Sequence, residues 1–329
     1  MSTPVATSGS SGSVRLQLEQ RRPRFGEPAF RALVTAAALL VLLLIAGLVL
    51  VIAGQSIEGA VHNGLGFLWG TTWDPVHSIF GALPFIYGTL VTSFTALVLS
   101  SLIGVGVALF VSELAPAWIA QPVGFMVEML AAIPSVVYGL WGIYVLSPVL
   151  RDYVEKPLHD TLGWLPVFGG TPIGIGFLPA VVVLTIMVLP TVAVVSRDVV
   201  VAVPDAQREA ALALGATRWE TIRVGVLPYA RSGIIGAAIL GLARGVGETM
   251  AITMVIGNAP VISASLFSQG YTMASVVANE FSEATTATYR SSLMEIGLLL
   301  LIITLLINAA ARLLVWRVAY GASTRSVLA

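Results

Sequence analysis

Residues 208–228 read REAALALGATRWETIRVGVLP, a charged stretch between two long apolar segments. Just ahead of it, Pro204 suits the first turn of a helix, where its missing N–H has no partner to lose, and Asp205 puts negative charge at the positive end of the helix dipole. The run AQREAALAL that follows is made almost wholly of strong helix formers. Gly215 can adopt the left-handed conformation that ends such a helix. Thr217 and Glu220 have the T-x-x-E spacing of a capping box, which starts a second short helix. Pro228 is expected to close that helix and open the next span. The stretch therefore reads as two short helices with a sharp bend, although interfacial helices of purely structural purpose have the same appearance.

The rest of the chain explains why such a loop stands out. Of 329 residues, 57% are apolar and only 10% charged, with a mean hydropathy of +0.92; soluble domains carry roughly a quarter charged residues. The chain belongs in a bilayer. A net charge of +0 gives no global grip on nucleic acid. The absence of cysteine removes disulfides, thiolate metal sites and cysteine nucleophiles together.

A bilayer core of about 30 Å needs roughly 20 apolar residues per helix. Segments 32–54, 88–113, 123–147, 176–199, 229–256 and 292–316 meet that length, predicting an all-α polytopic membrane protein with six transmembrane helices. The first is longer than the roughly 7–15 apolar residues of a signal peptide and reads as an uncleaved anchor. Arginine placement sets the orientation, since cytoplasmic loops collect basic residues. Arg15, Arg21, Arg22, Arg24 and Arg31, then Arg197, Arg208, Arg218, Arg223 and Arg231, then Arg312, Arg317 and Arg325 fall on one side of a six-span topology. The other side holds Arg151, Lys156 and Arg290. Both termini are therefore expected in the cytoplasm, in a multi-pass protein of the bacterial inner membrane.

Four regions follow. Residues 1–30 form a polar, disordered cytoplasmic tail, 31–87 the first transmembrane helix and an outer loop, 88–316 a core of five transmembrane helices with the bent loop at 203–228, and 317–329 a second cytoplasmic tail. In the outer connection at 55–87, Phe67, Trp69 and Trp73 are expected along the membrane interface, and 148–175, with Pro157, Pro166 and Pro172, is expected to be a second long loop.

Glu209, Ala210 and Ala211, then Gly215, then Leu227 and Pro228 follow the pattern EAA-x3-G-x9-I-x-LP. With its cytoplasmic placement before the penultimate span, the stretch resembles the signature of the membrane subunits of bacterial ABC importers. Gly225 stands where that pattern usually has Ile. The segments LPFIYGTLVTS, MLAAIPSVVYGLWG, MVLPTVAVVSRD, ALGATRWETI and LARGVGETMAITMVIGNAP extend the resemblance over residues 84–316, to the phosphate-specific importer and its PstC-type permease family. That resemblance implies a type I ABC importer permease fold and a pathway for inorganic phosphate shared with a PstA-like permease subunit. It also implies two copies of a cytosolic ATPase subunit, which bind ATP and Mg, and an external phosphate-binding protein. It gives Glu209, Ala210, Ala211, Gly215, Leu227 and Pro228 the role of coupling to the ATPase. Another oxyanion such as sulfate or molybdate, or an ion-coupled secondary transporter, stays open as an alternative.

Chemistry within the chain itself is not expected. A P-loop needs G-x-x-x-x-G-K-[ST], yet the only lysine is Lys156, in VEKPLHD. No catalytic or metal-binding residue is predicted: His62, His77 and His159 are scattered without ligand spacing, and no H-E-x-x-H occurs. The glycines Gly233, Gly236, Gly241, Gly245 and Gly247 mark the fifth span as an inner helix, because small residues let transmembrane backbones approach. Within that span Arg244 and Glu248 are four residues apart, on one face of a continuous helix, where they are able to pair. A charge near the bilayer centre costs about 2.5–3.5 kcal/mol on insertion scales, so the two residues are assigned to the substrate pathway, with interhelical glue as the competing role. Glu113 and Glu128 are expected near the cytoplasmic boundary. Besides membrane lipid, no further partner is predicted, and no nucleic acid.

Overall fold

The computed structural model describes the backbone of residues 26–323 and the side chains of residues 28–317. Residues 26–30 of the predicted tail already belong to the first helix. The remainder of that tail, with Arg15, Arg21, Arg22 and Arg24, lies outside the described residues, as does Arg325. The chain divides into two compact units, Met1–Leu50 and Val51–Ala329. Helix α1 (Gly26–Asn63) begins in the first unit, and its side chains from Pro28 to Ala46 are all exposed. A helix that is apolar on every face suits lipid.

The second unit opens with the C-terminal end of α1. There Gly59 N donates to Ser291 Oγ at 2.7 Å, and Asn63 Nδ2 donates to Ser292 Oγ at 2.9 Å and Glu295 Oε2 at 3.1 Å. Two-residue strands β1 (Trp73–Asp74) and β2 (Ile79–Phe80) pair antiparallel, Trp73 opposite Phe80. The helices that follow are α2 (Leu83–Leu114), α3 (Ala117–Ala132), α4 (Ser135–Leu162), α5 (Phe177–Val201), α6 (Asp205–Ala213), α7 (Arg218–Val246), α8 (Met250–Val255), α9 (Met273–Glu280) and α10 (Ala287–Ser323). Among the described residues five helices are long and apolar enough to cross a membrane, and six if the bent pair of α3 and α4 is one span.

That bent pair corrects the predicted third span at 123–147. α3 and α4 meet at 96°. The turning point is Ile133–Pro134: a proline has no N–H for the helix ladder and drives the preceding residue to extended geometry, and Ile133 has φ −71° and ψ 127°. The predicted loop at 148–175 is helical as far as Leu162. The predicted fifth span at 229–256 ends at Val246, before a break and the separate short helix α8.

Prolines also explain three π-helical turns, at Gly142–Leu146, Arg151–Glu155 and Ile222–Val226, through which the helix continues. Each is followed two residues on by Pro148, Pro157 or Pro228. A proline ring clashes with the carbonyl four residues back, which in each case lies inside the wide turn, so the extra residue relieves the clash. For Pro228 this overturns the expected helix end: α7 runs through it as one helix.

The main core joins α2, α4, α5 and α8 through Ala96, Tyr138, Leu184, Met187, Val192, Ile252 and Val255. α7 packs closely on α5 at Gly241, where an added Cβ would lie 2.8 Å from Val192 Cγ2 and 2.9 Å from Val188 Cγ1. Gly233 and Gly245 also face α5, whereas Gly236 meets nothing within 4 Å and Gly247 lies past the helix end, so part of the glycine series marks an inner face. A second core contains Phe67, Phe80, Phe85, Tyr271, Met273 and Leu293. Phe67 is 1% exposed, and the Trp73 ring sits 4.9 Å from both Phe80 and Phe85. Trp73 Nε1 and Tyr289 OH both donate to Glu280 Oε2, at 2.8 and 2.6 Å. Of the three aromatics expected along the interface only Trp69 is exposed: Phe67 is buried from a single 3-10 turn at Gly64–Leu68, and Trp73, on the strand pair, is half-buried.

Candidate functional site

The bend between α6 and α7 is built by local chemistry. Gly215 has φ +84°. Its N–H donates to Leu212 O at 2.9 Å and the next N–H, of Ala216, to Ala211 O at 3.1 Å, the two hydrogen bonds of a Schellman end. Thr217 then caps α7: its N–H donates to Glu220 Oε2 at 2.8 Å, and Glu220 N donates to Thr217 Oγ1 at 3.4 Å. Besides Pro228, Pro204 also departs from expectation: it sits at the N-cap with ψ 137°, one residue ahead of the helix.

Glu209 and Ala210 are exposed, Ala211 and Leu227 are half-buried and Pro228 is exposed. Around them Leu212, Leu214, Trp219 and Val224 are also exposed, Leu214 at 90%. Glu209 forms no ion pair among the described residues. The loop thus presents a carboxylate amid apolar side chains. On its inner side Gly225 packs under α6, where an added Cβ would be 3.0 Å from Gln207 O. This contact accounts for glycine where the pattern has Ile. Gly225→Ile is expected to push α6 outward at a cost of about 1–3 kcal/mol, seen as a lower Tm of the purified complex.

The charges show a different arrangement from the one read in sequence. α7 ends at Val246, so the four-residue spacing of Arg244 and Glu248 no longer puts them on one helix face, and among the described residues no ion pair joins them. Glu248 instead accepts from Ala251 N at 3.3 Å, at the start of α8. Arg244 is exposed on a membrane helix. A cavity of about 590 Å³ lies elsewhere, between residues 166–173 and 259–269, and no charged residue lines it.

Two ion pairs escaped the sequence reading. Arg197 Nη1 meets Glu128 Oε1 at 2.9 Å, joining α5 to α3, and Arg208 Nη2 meets Glu113 Oε1 at 2.7 Å, joining α6 to α2. Hydrogen bonding to Glu113, opposed by desolvation, holds the Arg208 guanidinium pKa above its ordinary value. Carboxylates at the ends of apolar runs were the available signal; their partners are remote in sequence.

With this geometry in place, residues 100–320 match the family described as binding-protein-dependent transport system inner membrane component. The phosphate transport system permease protein PstC of Pasteurella multocida (strain Pm70) is 44% identical over 296 residues, covering 89% of this chain and 92% of that one. PstC of Mesorhizobium japonicum is 42% identical, covering 91% and 92%. PstC 2 of Mycobacterium tuberculosis is 39% identical, covering 90% and 93%. Among solved structures, a chain of the MetNI methionine ABC transporter in an inward-facing conformation has the same fold, with a TM-score of 0.54 at 23% identity over 71% of this chain and 94% of that one. The chain belongs to the binding-protein-dependent transport system inner membrane components, among the PstC-type permeases.

Proposed function

We propose that this chain forms, with a second, similar permease, the pathway by which inorganic phosphate enters the cell, driven by ATP hydrolysed on two cytosolic subunits. The observation that carries the pathway is Arg244: an exposed guanidinium on a membrane helix, without an ion pair among the described residues. Facing lipid it would cost about 2.5–3.5 kcal/mol; facing a hydrated seam between two permeases it meets water and a passing anion. Its planar donors match phosphate oxygens, and it stays charged where water is scarce. Glu248, beside it, shapes the same wall by holding the start of α8. The PstC relatives support phosphate as the anion.

ATP and Mg sit on the partner ATPases in this reading. The chain's only lysine, Lys156, is on α4 and donates to Asp152 Oδ1 at 2.7 Å. The residues from Glu209 to Pro228 dock in a groove of the ATPase, with both chain termini on that cytoplasmic side, and an external phosphate-binding protein delivers substrate to the other. The complex purified with its partners should show ATPase activity stimulated by the phosphate-loaded binding protein and not by sulfate or molybdate. Equal stimulation by sulfate or molybdate would refute phosphate as the specific substrate.

A further inference from the structure

Arg208 directly precedes the exposed Glu209, yet its side chain turns inward. Nη2 donates to Glu113 Oε1 at 2.7 Å, and Nε to the two Glu113 oxygens at 3.2 and 3.3 Å. Nη2 also donates to Val200 O at 2.9 Å, and Nη1 to Val203 O at 2.6 Å and Asp205 Oδ1 at 3.1 Å. One guanidinium thereby joins the inner end of α2, the carbonyl end of α5 and the first turn of α6. The two side chains are only 19% and 12% exposed. Beneath them Val200, Val203, Val226 and Ala230 form a small apolar core with Leu109, Val199 and Ile234. The cation lies at the negative end of the α5 dipole while also meeting a carboxylate.

The chain path links α6 directly to α5 and α7, but Glu113 is 95 residues away from Arg208 in sequence. Any force that reaches α2 from α6 must therefore cross a non-covalent contact. A planar fork held through three nitrogens resists both sliding and rotation, whereas an ammonium on a flexible stem acts as a pivot. We propose that Arg208 and Glu113 are positioning residues that lock α6 to the inner end of α2, so that a push on the coupling loop moves α2 together with α5 and α7. This rests on the reading that α6 docks on the ATPase.

The test uses the complete complex in proteoliposomes and scores phosphate uptake per ATP hydrolysed for Glu113→Ala, Glu113→Gln and Arg208→Lys. The ratio should fall at least tenfold in Glu113→Ala and by a smaller factor in the other two, with assembly on gel filtration retained. Because the chain has no cysteine, spin labels can be placed on cysteines substituted at Leu114 and Ala213. Their separation should stay constant between nucleotide-free and ATP-trapped states, and change between those states once Glu113→Ala is added. If Glu113→Ala does not assemble, the isosteric Glu113→Gln decides by the same ratio. Unchanged uptake per ATP in the assembled variants, while Glu209→Lys uncouples, would overturn the lock and leave the docking reading standing. Normal coupling in Glu209→Lys as well would overturn both.

Discussion

Replacing Arg244 with Gln lowers phosphate uptake by about 10- to 100-fold, with the complex still assembled and basal ATPase activity still measurable. The magnitude follows from a charge-assisted hydrogen bond worth about 1.5–3 kcal/mol, each 1.4 kcal/mol being a factor of ten. Assembly is expected to survive because Arg244 is exposed and no ion pair among the described residues ties it to another helix. Glu248→Gln should be milder, since its amide oxygen can still accept from Ala251 N, where the carboxylate now sits at 3.3 Å. Uptake assays and gel filtration of both variants check this. If Arg244→Gln fails to assemble, and changing Arg244 and Glu248 together to apolar residues restores assembly and transport, the pair is structural and the pathway role is wrong.

A β-branched residue at position 215 should uncouple the transporter. Gly215 has φ +84°, and an added Cβ there would meet nothing within 4 Å, so the penalty is conformational and leaves the packing of the spans untouched. Holding a β-branched residue in that region costs on the order of 1–3 kcal/mol. The bent form of the loop is thereby disfavoured about 5- to 150-fold relative to straighter alternatives. Gly215→Ile should keep ATP hydrolysis while uptake per ATP falls by roughly that range. Gly215→Asn should remain near wild type, because asparagine tolerates the left-handed region. Equal ratios in the two variants would count against the bend as the coupling element.

The bent loop was legible in sequence because its causes are local: Gly215, Thr217 and Glu220 act within a few residues of one another, and the structure builds the expected turn and capping box from them. Apolar length located the spans but could not show direction. The 96° turn at Pro134 is concealed inside an unbroken apolar run. Spacing misled at Arg244 and Glu248, where a four-residue interval implies a shared face only while the helix continues, and α7 stops between them. Phe67 and Trp73 looked interfacial because aromatics are common there; a 3-10 turn and a strand pair, both too short to give any periodic signal, pack them on a core. The contacts of Arg208 with Glu113 and of Arg197 with Glu128 depend on tertiary packing and have no local signature.

ATP-dependent uptake of labelled phosphate by the purified complex, in proteoliposomes with no ion gradient, bears most directly on the claim that this chain is the permease of an ATP-driven phosphate importer. The account predicts that phosphate accumulates only when the ATPase subunits, ATP and the phosphate-loaded binding protein are all present, and that collapsing proton and sodium gradients leaves uptake unchanged. Phosphate uptake that follows an imposed ion gradient, and persists when the ATPase subunits are omitted, would contradict it.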